Sequence, residues 1–202
     1  MGFLPGGMQS TDSSELMQRV AAGDEGALDA LIAAFAPQLL RFARRMLPRD
    51  PAEAEDVVQD TFVRVWSARR RWQPTACVST YLYTIATRLC LNRRRSWLRR
   101  PATAPLPEPD EASHPGDGAP DPERIAASAQ LRGALATELA ALPANQRAAI
   151  LLRHEGGLAY AEIAAALDTS PGAVESLLSR ARTRLRSRLA CWMSEGNPGE
   201  RG

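Results

Sequence analysis

The chain has 202 residues, enough for one large domain or two small ones, and 45% of them are apolar, which suffices for a hydrophobic core. Only 5% are aromatic, and apolar residues rarely alternate with polar ones, which argues against a β-sandwich or a β-barrel. We therefore predict an all-α protein. No run of about 18 consecutive apolar residues occurs, so we expect neither export nor membrane insertion. The cysteines are odd in number and widely spaced, which fits a reducing, cytoplasmic setting.

The small net charge of +2 hides a strong asymmetry along the chain. The charge is −4 over residues 1–40, +9 over 41–100, −5 over 101–125 and +2 over 126–202. All 25 basic residues are arginine, whose planar guanidinium suits phosphate and base edges, although a coding bias also explains this choice. Two basic blocks around an acidic strip predict a polyanionic partner or an acidic protein surface, with nucleic acid as the first candidate.

Residues 101–124 have the composition of a linker. They contain seven of the fifteen prolines, are net acidic, and include one aliphatic residue longer than alanine, Leu106. Such a segment buries too little apolar surface to offset its ordering entropy, and its prolines keep it extended. We therefore predict a flexible acidic linker between two helical domains at 13–100 and 125–192, with a disordered N-terminus at 1–12 and a tail at 193–202.

The first domain reads as a series of amphipathic helices. Ser13 or Ser14 is expected to cap a short helix that ends near Gly23, and Asp24 to cap the next one. Pro37 interrupts the apolar stripe of that second helix and is expected to bend it or to start a new helix. Further helices are predicted over residues 53–70 and 79–100, joined by a short loop at 72–78. The stripe of the second helix consists of Leu28, Leu31, Phe35, Leu39, Phe42 and Met46.

The second domain carries the signature of a helix-turn-helix. Leucines at 131, 135, 139 and 142 share one face of its first helix, which we expect to be buried. A helix follows from about Pro143 to the Gly156-Gly157 pair. Two more helices flank a three-residue turn, in which Ser170 is expected to cap the last helix and Pro171 to occupy its first position.

Two arginine clusters are candidates for nucleic-acid binding. The last helix carries five arginines between residues 180 and 188, which suits a helix in a major groove, although a solvated helix end gives the same pattern. Arg93, Arg94 and Arg95 lie near Trp97, Tyr81 and Tyr83, as expected for single-strand binding. Periodicity alone favours partly buried aromatic anchors and surface arginines there.

The sequence offers no convincing catalytic or metal site. The histidines are His114, in the linker, and His154, near a helix end, and no phosphate-binding glycine loop occurs. The acidic row from Glu53 to Asp60 suits a helix N-terminus and a solvated or protein-docking face better than acid–base chemistry. We therefore expect no enzymatic activity, no cofactor, no metal and no small-molecule substrate.

Three segments together resemble one protein family. They are AEDVVQDTFVRVW at 54–66, STYLYTIATRLCLNRRR at 79–95 and the stretch from LPANQRAAILLRHEGG to SRARTRLR at 142–186. This combination resembles the extracytoplasmic-function sigma factors of bacteria, members of the sigma-70 family. The resemblance implies a region 2 domain, a region 4 domain, binding to the clamp and flap of core RNA polymerase, promoter-specific initiation, a role in stress response and an inhibitory anti-sigma factor.

The resemblance also assigns roles to particular residues. Polymerase docking is implied for Asp56, Gln59, Asp60, Phe62 and Trp66. Recognition and melting of the minus-10 element are implied for Pro74, Ser79, Tyr81, Thr84, Arg88, Arg93, Arg94 and Arg95. Reading of the minus-35 element is implied for Ser170, Pro171, Glu175, Ser176, Ser179, Arg180 and Arg182. Glu175 and Leu177 stand where many members have basic residues, and Tyr81 and Arg88 where many have Trp and Asn.

Two alternatives follow from the residues alone. A stand-alone helix-turn-helix regulator would use only the second domain, but such proteins usually dimerise, and no sustained dimer heptad is present. A nuclease or metal-dependent hydrolase would need convergent His, Asp and Cys residues that the sequence lacks. The acidic row on the first domain distinguishes the sigma factor from the regulator.

Overall fold

The computed structural model describes the backbone over residues 10–74, 76–99 and 122–190, and the side chains over 12–74, 76–97 and 129–190. These ranges are helical and contain no strand, as the sequence predicts. The first half holds α1 (Ser10–Ala21), α2 (Glu25–Met46), α3 (Pro51–Ala68), a 3₁₀ turn (Arg69–Arg71) and α4 (Val78–Arg99). The second half holds α5 (Pro122–Ala141), α6 (Ala144–His154), α7 (Tyr160–Leu167) and α8 (Pro171–Arg188). The predicted linker lies mostly outside the described residues, but α5 starts three residues before its predicted boundary.

Side-chain caps set the starts of three helices. Asp24 accepts a hydrogen bond from the Ala27 amide at 3.0 Å, and Ser170 accepts one from the Ala173 amide at 3.2 Å, which confirms both predicted caps. The Ala27 amide and then Arg19 hold the pKa of Asp24 below its usual value. Asp50 caps α3 through the Glu53 amide at 3.1 Å, so α3 begins before the predicted start. Each cap satisfies an amide that the first helical turn leaves unpaired.

Two local predictions were wrong, and one of the two alternatives given for Pro37 is excluded. Residues Ser10 to Asp12 belong to α1 and not to a disordered segment. Pro37 lies inside α2, which continues to Met46, so it does not start a new helix. Leu131 and Leu135 are 42% and 36% exposed, because the neighbouring helices cover only the C-terminal end of α5, where Leu139 is buried, and Leu142, which directly follows the helix and is also buried.

The core is built around α2. Its buried residues include Leu31, Phe35 and Phe42, and they pack with the inner faces of α3 and α4. By length and composition alone α2 is the one described helix that could cross a membrane. Because its apolar stripe is buried among neighbouring helices, α2 serves here as the central core helix of the first half.

The two halves of the chain pack against each other. α4 lies along α7, and Thr80 Oγ1 donates to Glu162 Oε1 at 2.7 Å. Arg45 and Glu155 form an ion pair at 2.6 Å. Tyr83, 2% exposed, meets the Phe42 ring edge-on at 5.2 Å, and burial raises the pKa of its hydroxyl to about 12. Tyr83 and Phe42 both belong to the first half, but the buried apolar residues of the two halves form one cluster, so apolar packing and polar bonds both join the halves.

Arg147 occupies the most buried position of any charged side chain among the described residues. It is 0% exposed, and its guanidinium donates to the carbonyls of Met46 at 3.0 Å and Leu142 at 3.3 Å, and also to that of Ala140. These carbonyls lie at the C-terminal ends of α2 and α5, where backbone acceptors lack intrahelical partners. One side chain thus ties the starting turn of α6 to both halves.

We expect Arg147→Met to lower the free energy of unfolding by about 2–4 kcal/mol, because it leaves buried carbonyl groups without donors. Urea denaturation followed by circular dichroism measures the change. The matched control is Arg188→Met on exposed α8, for which we expect a change within about 0.5 kcal/mol. Equal stabilities of the two variants would contradict the role given to Arg147.

Candidate nucleic-acid and protein interfaces

The outer side of α3 divides into two flanks. Asp56 and Asp60 have side chains 60% and 49% exposed and lie towards α4. Phe62, 6% exposed, and the half-buried Trp66 lie on the opposite flank, towards α2, and Gln59 is exposed between the flanks. The five residues predicted to dock a protein are therefore on one helix, but they do not form one uniform surface.

The flank towards α2 is an open apolar groove with a volume of about 900 Å³. Its floor combines the half-buried apolar faces of two helices, so it presents apolar surface next to charged residues. Large exposed apolar surfaces are rare on soluble monomeric proteins, and those that occur commonly mark interaction sites. The groove is lined by Leu28, Ile32, Ala36, Pro37, Leu40, Glu55, Val58, Gln59, Phe62, Val63, Trp66 and Ser67.

Val63 was missed by the sequence analysis. It is 62% exposed, the most exposed large hydrophobic side chain among the described residues, and it borders the apolar groove. The signal was present in the sequence, because an amphipathic helix with Phe62 and Val65 inward leaves no buried place for Val63. Because Val63 is exposed, the apolar surface of the groove continues onto the outermost ridge of α3, which we call its crest.

Arg93 was predicted with Arg94 and Arg95 as a DNA contact, but the structure places its side chain against α3. Its guanidinium pairs with Asp60 at 2.8 Å and Asp56 at 3.3 Å, and also with Glu53. Burial disfavours the charged form of Arg93, but the hydrogen bonds that its guanidinium donates to the three carboxylates outweigh this effect and raise the pKa of Arg93. Arg94 is half-buried and Arg95 is exposed.

A smaller cavity of about 300 Å³ lies where the loop after the 3₁₀ turn meets α4. Half-buried Tyr81 lines it, and burial raises the pKa of its hydroxyl while nearby Arg71 opposes this. Pro74 is exposed in this loop, whereas Ser79 is 9% exposed and turned into the fold. The full lining is Ala68, Arg71, Trp72, Gln73, Ala76 and Tyr81. Sequence reasoning missed Arg71, Trp72 and Gln73, since a loop gives no periodicity.

The remaining predicted residues of α4 lie towards α7. Arg88 donates to the Ala165 carbonyl at 3.1 Å, and Thr84 Oγ1 donates to the Thr80 carbonyl at 2.7 Å. One turn before Thr84, the Thr80 hydroxyl reaches Glu162, which also caps α7 through the Ala159 amide at 2.7 Å. In this conformation the second half therefore covers part of the predicted minus-10 face.

The outer face of α8 is open. All seven predicted minus-35 residues, Ser170, Pro171, Glu175, Ser176, Ser179, Arg180 and Arg182, are exposed. At about 100° per residue, Glu175, Ser179 and Arg182 fall on one stripe, and Ser176 and Arg180 fall on a second one farther round the helix. Within the described ranges none of these charged groups takes part in an ion pair, so they remain available to a ligand.

The described residues include no group of three or more His, Cys, Asp or Glu side chains placed to hold a metal ion. Cys77 is an exposed free thiol and Cys90 a buried one, and burial raises the pKa of Cys90 to about 12. Cys191 lies outside the described residues.

Comparison with known proteins matches both halves of the chain. Residues 31–100 match the family Sigma-70 region 2, and residues 132–185 match Sigma-70, region 4. The ECF RNA polymerase sigma factor SigE of Mycolicibacterium smegmatis is 37% identical over 87% of this chain and 67% of its own length. The ECF RNA polymerase sigma-E factor of Escherichia coli strain K12 is 29% identical over 86% of this chain and 92% of its own.

Two solved structures share the fold. CnrH in complex with the cytosolic domain of CnrY aligns with a TM-score of 0.65 and 26% identity, over 91% of this chain and 99% of that one. The sigma factor RpoE of Bartonella quintana in complex with the anti-sigma factor NepR aligns with a TM-score of 0.61 and 26% identity, over 80% and 96% of the two chains. Both alignments include most of this chain.

We expect Thr80→Val to increase the population in which the two halves separate, because it removes the hydroxyl that binds Glu162 while keeping the side-chain shape and leaving the cap of α7 intact. Fluorescence energy transfer between labels on α1 and α8 measures the separation. Thr137→Val, which removes an exposed hydroxyl bonded within α5, is the control. Identical transfer in the two variants would show that this bond does not hold the halves together.

Proposed function

The chain belongs to the extracytoplasmic-function sigma factors, and from this membership we propose how its surfaces divide the work of promoter recognition. It binds core RNA polymerase and directs transcription initiation at specific promoters, and an anti-sigma factor controls it. The observation that carries this conclusion is the joint presence of sigma regions 2 and 4 in one chain. We assign region 2 to residues 13–100 and region 4 to residues 125–192.

We propose that α3 binds the clamp of the largest polymerase subunit. Its outer side offers the carboxylates of Asp56 and Asp60 next to an apolar groove that contains Phe62 and Trp66. A cationic, amphipathic partner helix matches both features, because it can lay apolar side chains in the groove and set its charges on the flank. Exposed Val63 supports this assignment, since it would be covered by such a partner.

We propose that the cavity next to Tyr81 receives a base of the minus-10 element. Trp72 and Tyr81 supply aromatic surface, Gln73 supplies amide donors and an acceptor, and Arg71 supplies a charge for the backbone. A volume of about 300 Å³ accommodates one nucleobase with solvent. Extrusion of a base costs a few kcal/mol, which stacking and hydrogen bonds in a closed site offset. Arg94, Arg95, Thr84 and Arg88 would bind the flanking strand.

Promoter contact with Thr84 and Arg88 requires α7 to move. Their face of α4 lies against α7, and Arg88 is bonded to the Ala165 carbonyl there. A DNA strand cannot occupy the volume that α7 fills. We therefore propose that the conformation described is a free form, and that the halves separate when polymerase and promoter bind.

We propose that α8 reads the minus-35 element in the major groove and that region 4 also contacts the polymerase flap. The exposed stripe of Glu175, Ser179 and Arg182 presents acceptor and donor groups to base edges, and further exposed arginines reach phosphates. We further propose that the chain catalyses no reaction itself and acts in the cytoplasm, where polymerase and promoters are found. A stand-alone regulator would have no use for the docking surface of α3.

Reconstitution of run-off transcription from purified core polymerase, this chain and a cognate promoter tests the docking surface. We expect Val63→Asp to weaken polymerase binding about tenfold, because it places a charge in an apolar interface. Titration of fluorescent protein with core polymerase measures the affinity. Since Val63 is exposed, folding is expected to be unaffected.

The matched control is Leu131→Asp, which introduces the same charge at another exposed apolar residue, on α5. It is expected to bind polymerase like the unmodified chain. Equal affinities of the Val63→Asp variant and this control would refute the assignment of α3. If the unmodified chain did not bind core polymerase, the docking proposal as a whole would fall.

We expect Glu175→Arg to change the preferred minus-35 sequence at one position. A carboxylate accepts from the cytosine amino group, whereas a guanidinium favours guanine, and a good pair discriminates by about 1–3 kcal/mol. Selection from a randomised promoter library, transcribed by reconstituted holoenzyme, measures the preference. Glu138→Arg on α5 is the control for charge alone, and an unaltered consensus for Glu175→Arg would rule out base reading by Glu175.

A further inference from the structure

The ion-pair cluster between α3 and α4 suggests a role for Arg93 that differs from DNA contact. Arg93 has a side chain that is 22% exposed and lies among Glu53, Asp56 and Asp60. The carboxylates follow one another at intervals of three and four residues, so they share one face of α3. One guanidinium from α4 thus forms ion pairs with three acidic side chains of α3, the helix proposed to dock polymerase.

Helix geometry separates Arg93 from the proposed DNA-binding residues of α4. Five residues after Arg88, at about 100° per residue, Arg93 points about 140° away around the helix axis. Arg88 reaches α7 from one side of α4, and Arg93 reaches α3 from another. A phosphate bound on the face of Tyr81, Thr84 and Arg88 is therefore out of reach of Arg93.

The pairing is selective for particular oxygen atoms. Arg93 Nη2 binds Asp60 Oδ2, and Nη1 binds Asp56 Oδ2 and a Glu53 oxygen. Among the described residues, the Oδ1 atoms of Asp56 and Asp60 accept no hydrogen bond. Each aspartate thus has one oxygen fixed from the side of α4 and one left for a partner.

We propose that Arg93 is a positioning residue for polymerase docking, which fixes Asp56 and Asp60 so that their outer oxygens receive cationic groups of the polymerase. This inference rests on the proposed docking role of α3. When carboxylates are buried together at an interface, they repel one another and lose their hydration water. Both free-energy costs are smaller when each carboxylate already accepts a hydrogen bond from a fixed donor before the partner binds. Three carboxylates and one guanidinium leave a charge of −2, which still attracts a cationic partner.

The test compares the affinity of core polymerase for Arg93→Met, Arg93→Lys and the control Arg70→Met. Arg70 is exposed and takes no part in an ion pair within the described residues. We expect Arg93→Met to weaken binding about tenfold and Arg93→Lys, which keeps the charge without the fork, to recover part of the loss. Arg70→Met is expected to bind like the unmodified chain.

A double-mutant comparison separates positioning from a purely structural role. In a chain that carries Asp56→Asn and Asp60→Asn, we expect Arg93→Met to cause no further loss of polymerase affinity, because the two carboxylates that Arg93 positions for docking are already gone. An equal further loss would indicate a general effect on folding and would overturn the proposal. Polymerase binding by the Arg93→Met variant at the unmodified affinity would do the same.

The salt dependence of promoter binding by the holoenzyme separates positioning from DNA contact. We expect the slope of log affinity against log salt to be the same for Arg93→Met and the unmodified chain. A slope smaller in magnitude by about one would identify Arg93 as a phosphate contact and would overturn the proposal. If the unmodified chain does not bind core polymerase, the proposed docking of α3 is wrong. If the unmodified chain binds and Arg93→Met binds equally well, only the positioning role of Arg93 is wrong, so the two results are distinguishable.

Discussion

The placement of one fully buried cation fixes how the two halves of this chain meet. Arg147 brings a guanidinium into the interior, where its charge is compensated by backbone carbonyls at the ends of α2 and α5. Helix C-termini carry partial negative charge and unpaired acceptors, so they suit a buried cation without a carboxylate. Burial, and then the nearby Arg94 and Arg49, lower the pKa of Arg147 to about 10, which still leaves it charged at neutral pH. The orientation of α6, and with it the helix-turn-helix, follows from these bonds.

The sequence was sufficient for features that depend on neighbours along the chain. Asp24 and Ser170 were identified as caps because a cap acts within three residues, and the helix-turn-helix was identified from the turn before Pro171. The contacts of Arg93, Arg147 and Thr80 could not be found in this way. Their partners Asp60, Met46 and Glu162 lie 33, 101 and 82 residues away, and no periodicity encodes which polar groups meet over such distances. The arginine-rich stretches therefore predicted exposed basic surface in general, but they gave no sign that Arg93 and Arg147 turn inward.

α3 shows how a single helix can present two kinds of surface. Its crest separates an apolar groove shared with α2 from a charged flank shared with α4. Both flanks depend on tertiary neighbours, since α2 supplies one wall of the groove and α4 supplies the guanidinium that orders the carboxylates. A partner that contacts both flanks of α3 therefore binds fully only when α2, α3 and α4 are packed together. A helical peptide with the sequence of α3 alone would lack this property.

The contact between α4 and α7 leaves the outer face of α8 exposed but covers part of α4. The outer stripe of α8 is open, while part of α4 is covered by the neighbouring helix. On the roles proposed above, α8 is open to the minus-35 element in this conformation, whereas Thr84 and Arg88 become open to the minus-10 element only after α7 moves away from α4. The packing of α7 on α4 would then restrain strand separation by the lone protein.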